Sequence, residues 1–256
     1  LHGEQGALLC TARLVEAVPW IDAKYYAATQ VVDEARHVEA FARYLDEKMP
    51  ATYPINENLK SLIDQVLRDE RWDLVYLGMQ VVIEGLALAA FGLMLGTTQE
   101  PLLKAMLRYI MADEARHVAF GILSLQELYE DMDAAEFRVR QEFAYEACNM
   151  MRRRTLNSEL WPSFGISNDE IEALLPSQQS QQRMQHLLFS KIVPNCKKLG
   201  LLDLRDGWLR ERFQEMGIIQ YENWENTAEA LTVGDAVEPI YAGSAGSPDS
   251  AGPVTS

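Results

Sequence analysis

Glu4 is followed thirty positions later by Asp33-Glu34-Ala35-Arg36-His37, and Glu84 thirty positions later by Asp113-Glu114-Ala115-Arg116-His117. The same constellation therefore recurs at an offset of 80 residues. Within each copy, Glu and His at i and i+3 share one helix face and can reach the same ion or two adjacent ones. Four carboxylates and two imidazoles in this pattern are what two metal ions need from four helices. The ligand set read from the repeat is Glu4, Glu34, His37, Glu84, Glu114 and His117. Oxygen-rich coordination with one nitrogen per ion suits iron or manganese better than thiolate-seeking metals. Four ionised Glu side chains balance two divalent ions, so a reduced pair is neutral in a low-dielectric core. Without metal, the same carboxylates repel one another and take up protons.

The members of this set differ in weight. Glu-x-x-His alone also occurs on solvated helices. Glu84 is more telling, because Val81 to Phe91 is apolar on all faces apart from it. Such a helix is buried, and a buried carboxylate must be paired, protonated or bound to metal. Glu4 is the least constrained, since Glu16 lies on the same helix. Asp33 and Asp113 precede the motif glutamates, and Arg36 and Arg116 follow them. Metal-bound histidines commonly donate their second N–H to a carboxylate. Asp33 is therefore expected to support His117, and Asp113 to support His37, with the arginines pairing the aspartates; the competing reading is salt bridges on helix surfaces. No catalytic group beyond the ligands and no organic-cofactor site is read. His2 and His186 fall outside the pattern and are read as surface residues.

These residues must be positioned by two helical hairpins. Pro19 lies midway between Glu4 and Glu34, and a helix of that half-length rises about 22 Å, so a turn there brings both carboxylates to one height. Gly96-Thr97-Thr98-Gln99-Glu100-Pro101 is equidistant from Glu84 and Glu114 in the same way, with Thr98 as the expected cap and Pro101 in the first turn. Met49 to Pro54 breaks the chain, and Ile55 to Asp69 reads as a crossover with a short helix. After His117 the pattern stays helical to about Arg154. Trp161 to Gly165 interrupts it, and Ser167-Asn168-Asp169-Glu170 opens a new helix. Pro176 precedes an amphipathic helix running through Lys198, and Leu204 to about Gly217 suggests another. The expected organisation is an all-α four-helix bundle over residues 1–155, additional helices packed on it over 156–232, and a mostly flexible tail over 233–256, where Gly, Ser, Pro and Ala dominate. The chain starts at Leu1 without an initiator Met, so an N-terminal part of the first helix is expected to be missing.

A net charge of −15 in 256 residues, with Arg152-Arg153-Arg154 as the main basic run, excludes a nucleic-acid partner. Cys10, Cys148 and Cys196 form no CxxC pair, which offers no thiolate site and suits a reducing, cytoplasmic compartment. The most lipid-like run, Val81 to Leu95, is short and holds Glu84, so no membrane span is expected.

The doubled Glu…Asp-Glu-Ala-Arg-His resembles the ferritin-like di-iron carboxylate superfamily over about residues 1–130. It is most similar to the oxygen-activating branch, which includes bacterial monooxygenase hydroxylases, ribonucleotide reductase small subunits and N-oxygenases. The resemblance implies a ferritin-like bundle whose two iron ions, or a manganese–iron pair, activate O2. It further implies that they oxidise a small organic substrate beside the cluster by hydroxylation, N-oxygenation or desaturation, with electrons from a reductase and a homodimeric assembly. A ribonucleotide reductase-like radical subunit and an iron-storage protein are the alternatives. Radical subunits resembling this chain place a Tyr where Phe41 stands, leaving Tyr25, Tyr26, Tyr44, Tyr76 and Tyr109 as candidate redox neighbours. Arylamine N-oxygenases of the superfamily carry a further His one turn before the second motif's Glu. Here that position is Ile110, which counts against that identity. Gly85 and Gly92, with Gly3 and Gly6, leave room either for helix packing or for substrate. Phe41, Gly85, Leu86, Leu88, Ile110, Met111 and Phe120 suggest an apolar pocket suited to a reactive centre.

Overall fold

A computed structural model describes residues 1–49, 53–155, 161–167, 169–170 and 179–224. Among these there is no strand. The first hairpin pairs α1 (His2–Ala17) with α2 (Ile21–Lys48), turning at Val18-Pro19-Trp20. Its geometry is fixed by Lys24, whose ammonium donates to the carbonyls of Val15 at 3.1 Å and Glu16 at 2.6 Å. That cation answers the free carbonyls and the negative dipole end of α1. The crossover carries α3 (Glu57–Arg68), capped by Asn56, which accepts from the Leu59 N–H at 3.2 Å. Leu59, Leu62, Ile63 and Val66 give α3 one apolar stripe, and all four are buried.

The second hairpin pairs α4 (Trp72–Thr97) with α5 (Pro101–Asp131). Residues Leu77–Ile83 of α4 are wound as a π-helix that ends where Glu84 begins. Such segments gather at functional sites because they re-aim side chains within a continuous helix. By length and apolarity α4 could cross a bilayer, yet 89% of its most apolar window is buried inside the protein. It is a core helix, walled by α1, α3, α5 and the later helices. Gly78 allows this enclosure: a Cβ there would fall 2.4 Å from Val66 Cγ2 and 2.9 Å from the Phe143 ring.

Two helix boundaries differ from expectation. Glu100, rather than Thr98, caps α5, accepting from the Leu103 N–H at 2.6 Å. The Thr98 hydroxyl instead accepts from the Glu100 N–H at 3.2 Å and shapes the turn before the cap. Helix α5 stops at Asp131, and α6 (Ala134–Thr155) starts anew. The break comes from Asp133, whose carboxylate accepts from the N–H groups of Ala135 at 2.9 Å and Glu136 at 3.0 Å. Asp competes with the helix ladder in this manner, and an apolar pattern continuing through it hides the stop.

Ser167 and Glu170 form the expected reciprocal cap, Ser167 N–H to Glu170 at 2.9 Å and Glu170 N–H to Ser167 Oγ at 3.2 Å. Pro176 and the tail from Val233 lie outside the described residues. Helices α7 (Gln179–Lys198) and α8 (Trp208–Glu215) complete the described chain. One apolar core joins residues of α1, α3, α4, α5, α6, α7 and α8, with Leu188, Phe189, Ile192 and Val193 of α7 among its buried members. At the start of α4, Asp73 is buried against Arg140 of α6, which donates through Nε at 2.8 Å and NH2 at 3.1 Å. This two-pronged pair fixes the register between α6 and α4.

Candidate metal centre

The bundle brings all six predicted ligands to one buried place. Glu84 and Glu114 are each 1% exposed, and Glu4, Glu34, His37 and His117 are likewise buried. Two groups of four form, one of Glu4, Glu34, His37 and Glu114, the other of Glu34, Glu84, Glu114 and His117, with the donor atoms of each group within 4.8 Å of one another. Glu34 presents Oε2 to His37 Nδ1 at 3.6 Å and Oε1 to His117 Nδ1 at 3.1 Å. Glu114 does the same, Oε1 to His37 at 3.1 Å and Oε2 to His117 at 3.9 Å. These two carboxylates belong to both groups. Of the two histidines, Glu4 faces His37, at 3.4 Å, and Glu84 faces His117, at 4.0 Å, so each belongs to one group.

Hydrogen bonding tests whether metal fits. Six of the crowded atoms make no hydrogen bond: Glu34 Oε2, His37 Nδ1, Glu84 Oε2, both oxygens of Glu114, and His117 Nδ1. Buried polar atoms without partners are rare and costly. Six of them aimed at one volume, all metal-ligand types, are satisfied by cations lying between them.

The electrostatics of the metal-free chain agree. Burial, then the charge of Glu114, pushes Glu4 up to about 7, and the same two causes push Glu84 well above the carboxylate range. Burial opposes Glu34 too, but the imidazoles of His117 and His37 beside it outweigh burial and hold that carboxyl down to about 2. Both imidazoles are raised, because their carboxylate partners outweigh the burial that acts against them. Protons thus stand in for the missing positive charge.

Asp113 Oδ2 lies 3.1 Å from His37 Nε2, and Asp33 Oδ2 lies 3.2 Å from His117 Nε2. Each bond crosses between α2 and α5. It leaves Nδ1 of each ring as the free nitrogen pointing at the carboxylates. Arg36 pairs Asp33 and lies 3.8 Å from Asp113, while Arg116 pairs Asp113 and lies 3.7 Å from Asp33.

Gln30 and Gln80 were not singled out in the sequence. Gln30 Nε2 donates to Glu84 Oε1 at 2.8 Å, and Gln80 Nε2 donates to Gln30 Oε1 at 3.3 Å. The available signal is their spacing, each four residues before a ligand glutamate, and the isolation of Gln80 within an apolar helix. Gly121 makes room for Gln80, since a Cβ there would approach the Gln80 Cβ to 2.6 Å.

A cavity of about 120 Å³ opens on Glu4, Glu84 and Glu114, with Gly3, Ala7, Leu86, Ala90, Phe91 and Arg154 in its wall. Leu86 and Gly3 are the residues expected at a pocket that reach it. Gly85 instead faces α7, where its Cβ would lie 3.7 Å from Ile192, and Leu88 is buried in the core. Gly6 is a packing position, because a Cβ would fall 2.7 Å from Ile63. Phe41 and Ile110 form a small apolar cluster with Leu107, packed by Phe91. Met111 is partly buried, 3.7 Å from where a Gly92 Cβ would sit. A second, outward-facing hollow of about 420 Å³ is bordered by His37, Ile110, Tyr109 and Asp113. His2 bonds Gln5 and the Tyr53 carbonyl, and His186 packs on Tyr221 and Trp224, both away from the ligands.

A family model described as P-aminobenzoate N-oxygenase AurF matches residues 17–200. That span includes Glu34, His37, Glu84, Glu114 and His117 but begins after Glu4, which therefore rests on geometry alone. No curated protein matches the chain.

Proposed function

The chain belongs to the p-aminobenzoate N-oxygenase AurF family of ferritin-like di-iron oxygenases, and from that premise we propose that it oxidises the nitrogen of a small arylamine carrying an acidic group. The membership also corrects the weight given to Ile110, since the family includes this chain without a histidine there. Two ions held by Glu4, Glu34, His37, Glu84, Glu114 and His117, iron in preference to a manganese–iron pair, supply reductive activation of O2 and its transfer to substrate. A reductase supplies the electrons.

The observation that carries the reading is the convergence of six ligand atoms that make no hydrogen bond, beside a half-open cavity. Asp33 and Asp113 keep a proton on Nε2 of each histidine, which frees Nδ1 as the ligand. Gln30 steadies Glu84 by donating to Oε1, leaving Oε2 toward the centre. Ala7, Ala90, Leu86 and Phe91 exclude water from the space next to the carboxylates. Arg154 is half-buried in the same wall, and no carboxylate among the described residues pairs with it. Its guanidinium stays charged and offers a planar fork to a substrate carboxylate. The amine end of such a substrate then points toward Glu4, Glu84 and Glu114.

The test is metal analysis followed by oxygen uptake with aminobenzoates and neutral anilines. Two irons per chain and amine-dependent uptake yielding an N-oxidised product support the reading. An Arg154→Met variant should raise KM for the acids and leave the neutral anilines nearly unchanged. Oxygen uptake that yields only ring- or chain-hydroxylated products would remove the N-oxygenase assignment while keeping the oxygenase. A cytoplasmic homodimer completes the proposal, checked by fractionation and light scattering.

A further inference from the structure

Five tyrosines stand out in the sequence as possible redox neighbours, and the structure separates them. Tyr25 and Tyr109 are exposed, and Tyr44 lies along the outer part of α2, bordering a shallow hollow with Arg43 and Leu102. Tyr26 and Tyr76 are different. Tyr26 of α2 stacks on Phe120 at 3.7 Å with the rings 15° apart, and Phe120 follows His117 by one helical turn. Burial pushes the Tyr26 phenol up to about 12, with the charges of His117 and Glu84 acting on it in opposite senses, so it sits beside that half of the centre. Phe120 is 6.2 Å from the fully buried Tyr76. Tyr76 meets Trp72 edge-on at 5.8 Å, and Trp72 meets Trp20 edge-on at 5.3 Å. Trp20 caps α2 at the end of the bundle and is 49% exposed. Packing alone explains edge-on aromatic pairs. It does not explain why the file runs unbroken from the ligand helices to solvent through the oxidisable side chains Tyr76, Trp72 and Trp20.

We propose that Trp72 and Trp20, joined to the metal centre across Tyr26, Phe120 and Tyr76, form a relay that carries single oxidising equivalents from the centre to the surface when no substrate takes them. The proposal rests on the di-iron oxygenase reading above. An oxidised centre would draw one electron from Trp72 across the rings of Tyr76, Phe120 and Tyr26; the buried Tyr76 hydroxyl has no partner to take its proton and keeps it. Trp20 then refills Trp72. The hole resides on Trp20, whose indole N–H proton goes to water. A small thiol or an ascorbate-class reductant returns one electron and one proton to Trp20. In sum, the reductant loses one hydrogen atom, the centre gains one electron, and water gains one proton. Tyr26, Phe120 and Tyr76 are not oxidised and only shorten the gap.

The molecule contains its own control. Trp224 is 50% exposed, matching Trp20, but contacts only His186 within the aromatic pairs and lies off the relay. Iron(II)-loaded protein is exposed to oxygen without substrate or reductant, oxygen uptake is recorded, and oxygenated tryptophan is located by peptide mass spectrometry. The expected result is a several-fold excess of modification at Trp20 over Trp224, falling to parity in Trp72→Phe and persisting in Tyr76→Phe, which keeps the bridging ring. Zinc-loaded protein should show neither modification. Equal modification of Trp20 and Trp224 in the wild type, with oxygen consumed, would overturn the relay and leave the oxygenase intact. An excess that survives Trp72→Phe would do the same. Absence of oxygen uptake by protein carrying two irons would overturn the oxygenase and the relay together.

Discussion

On the His117 side, the centre is bordered by Gln30, Gln80, Tyr26 and Tyr76; on the His37 side it is bordered by Phe41, Phe91 and Ile110, and by the hollow behind Asp113. The sequence repeat makes the contrast sharper. At the offset of 80 that superposes every ligand, Gln30 falls on Ile110, Tyr26 on Met106, Phe120 on Ala40 and Gly121 on Phe41. The repeat thus keeps the donor set and exchanges its surroundings. One half of the centre receives amides and oxidisable rings, the other an apolar wall. Two equal ligand triads would hold two equal ions. Unequal borders would give two ions different surroundings, and the relay proposed above lies on the His117 side.

The largest effect expected separates shared from private ligands. Glu114→Ala removes a carboxylate common to both groups and should abolish binding of both irons, whereas Glu4→Ala should lose only the ion on the His37 side. Iron content after desalting reads the difference. Equal loss in the two variants would mean the halves are not separable. Next come the aspartates. Asp33→Asn and Asp113→Asn should each weaken metal binding by about 10–100-fold, the size typical of lost support to a ligand histidine. Asp33→Asn should act on the His117 ion and Asp113→Asn on the His37 ion. Isothermal titration with a divalent ion resolves which of two binding steps moves.

Much of this centre was legible because the ligands obey helix geometry. Spacing of i and i+3 within a helix, and a turn midway between paired carboxylates, place Glu34, His37, Glu114 and His117 with little help from packing. That Glu34 and Glu114 belong to both groups was not legible, since it depends on where two hairpins meet. Gln30 was hidden for the same reason: a glutamine on a half-polar helix looks solvated until α4 is laid against it. The π-turn at Leu77–Ile83 leaves little trace in a segment apolar apart from Gln80, where most windings bury the same kind of side chain. Asp133 was hidden differently. Its cap is a local signal, overlooked because apolar residues continue on both sides in helical register. Glycine had two readings that the sequence left equal, and the structure gives both: Gly85 meets α7, while Gly3 borders the cavity.

In their response to pH once metal is removed the halves should instead agree, since Glu4 and Glu84 are both raised by burial and by Glu114. Glu4 is raised to about 7 from its ordinary value of 4.5. Between those values the folded chain keeps a proton that the unfolded chain has released. This stabilisation is therefore complete below about pH 4.5 and is lost as pH rises through about 7. The raised imidazoles act with the same sign from their ordinary value of 6.5 upward. Glu34, held down to about 2, acts with the opposite sign, but only below pH 4.5. Chelator-treated protein should lose on the order of 2 kcal/mol between pH 5 and 8, about 4–8 °C in Tm. Iron-loaded protein should not, because metal displaces those protons and binds better as pH rises. In Glu4→Gln the slope of the metal-free form should flatten. A metal-free Tm that rises over this range would contradict the protonated cluster.

The smallest expected effect bears on the amides that distinguish the His117 side. Gln30→Leu strands two groups at once, Glu84 Oε1, which loses its donor, and the Gln80 amide, which loses its acceptor. Stranded buried polar groups cost about 1–2 kcal/mol here, read as a lower urea midpoint at unchanged slope. Gln80→Leu strands only the Gln30 carbonyl and should cost less. If the two amides form one chain leading to Glu84, the double variant should be no less stable than Gln30→Leu alone, because the second substitution removes a group already stranded. Additive costs would mean that each amide is held separately. The polar border of the His117 side would then be two independent packing solutions, and its contrast with Ile110 would carry no functional weight.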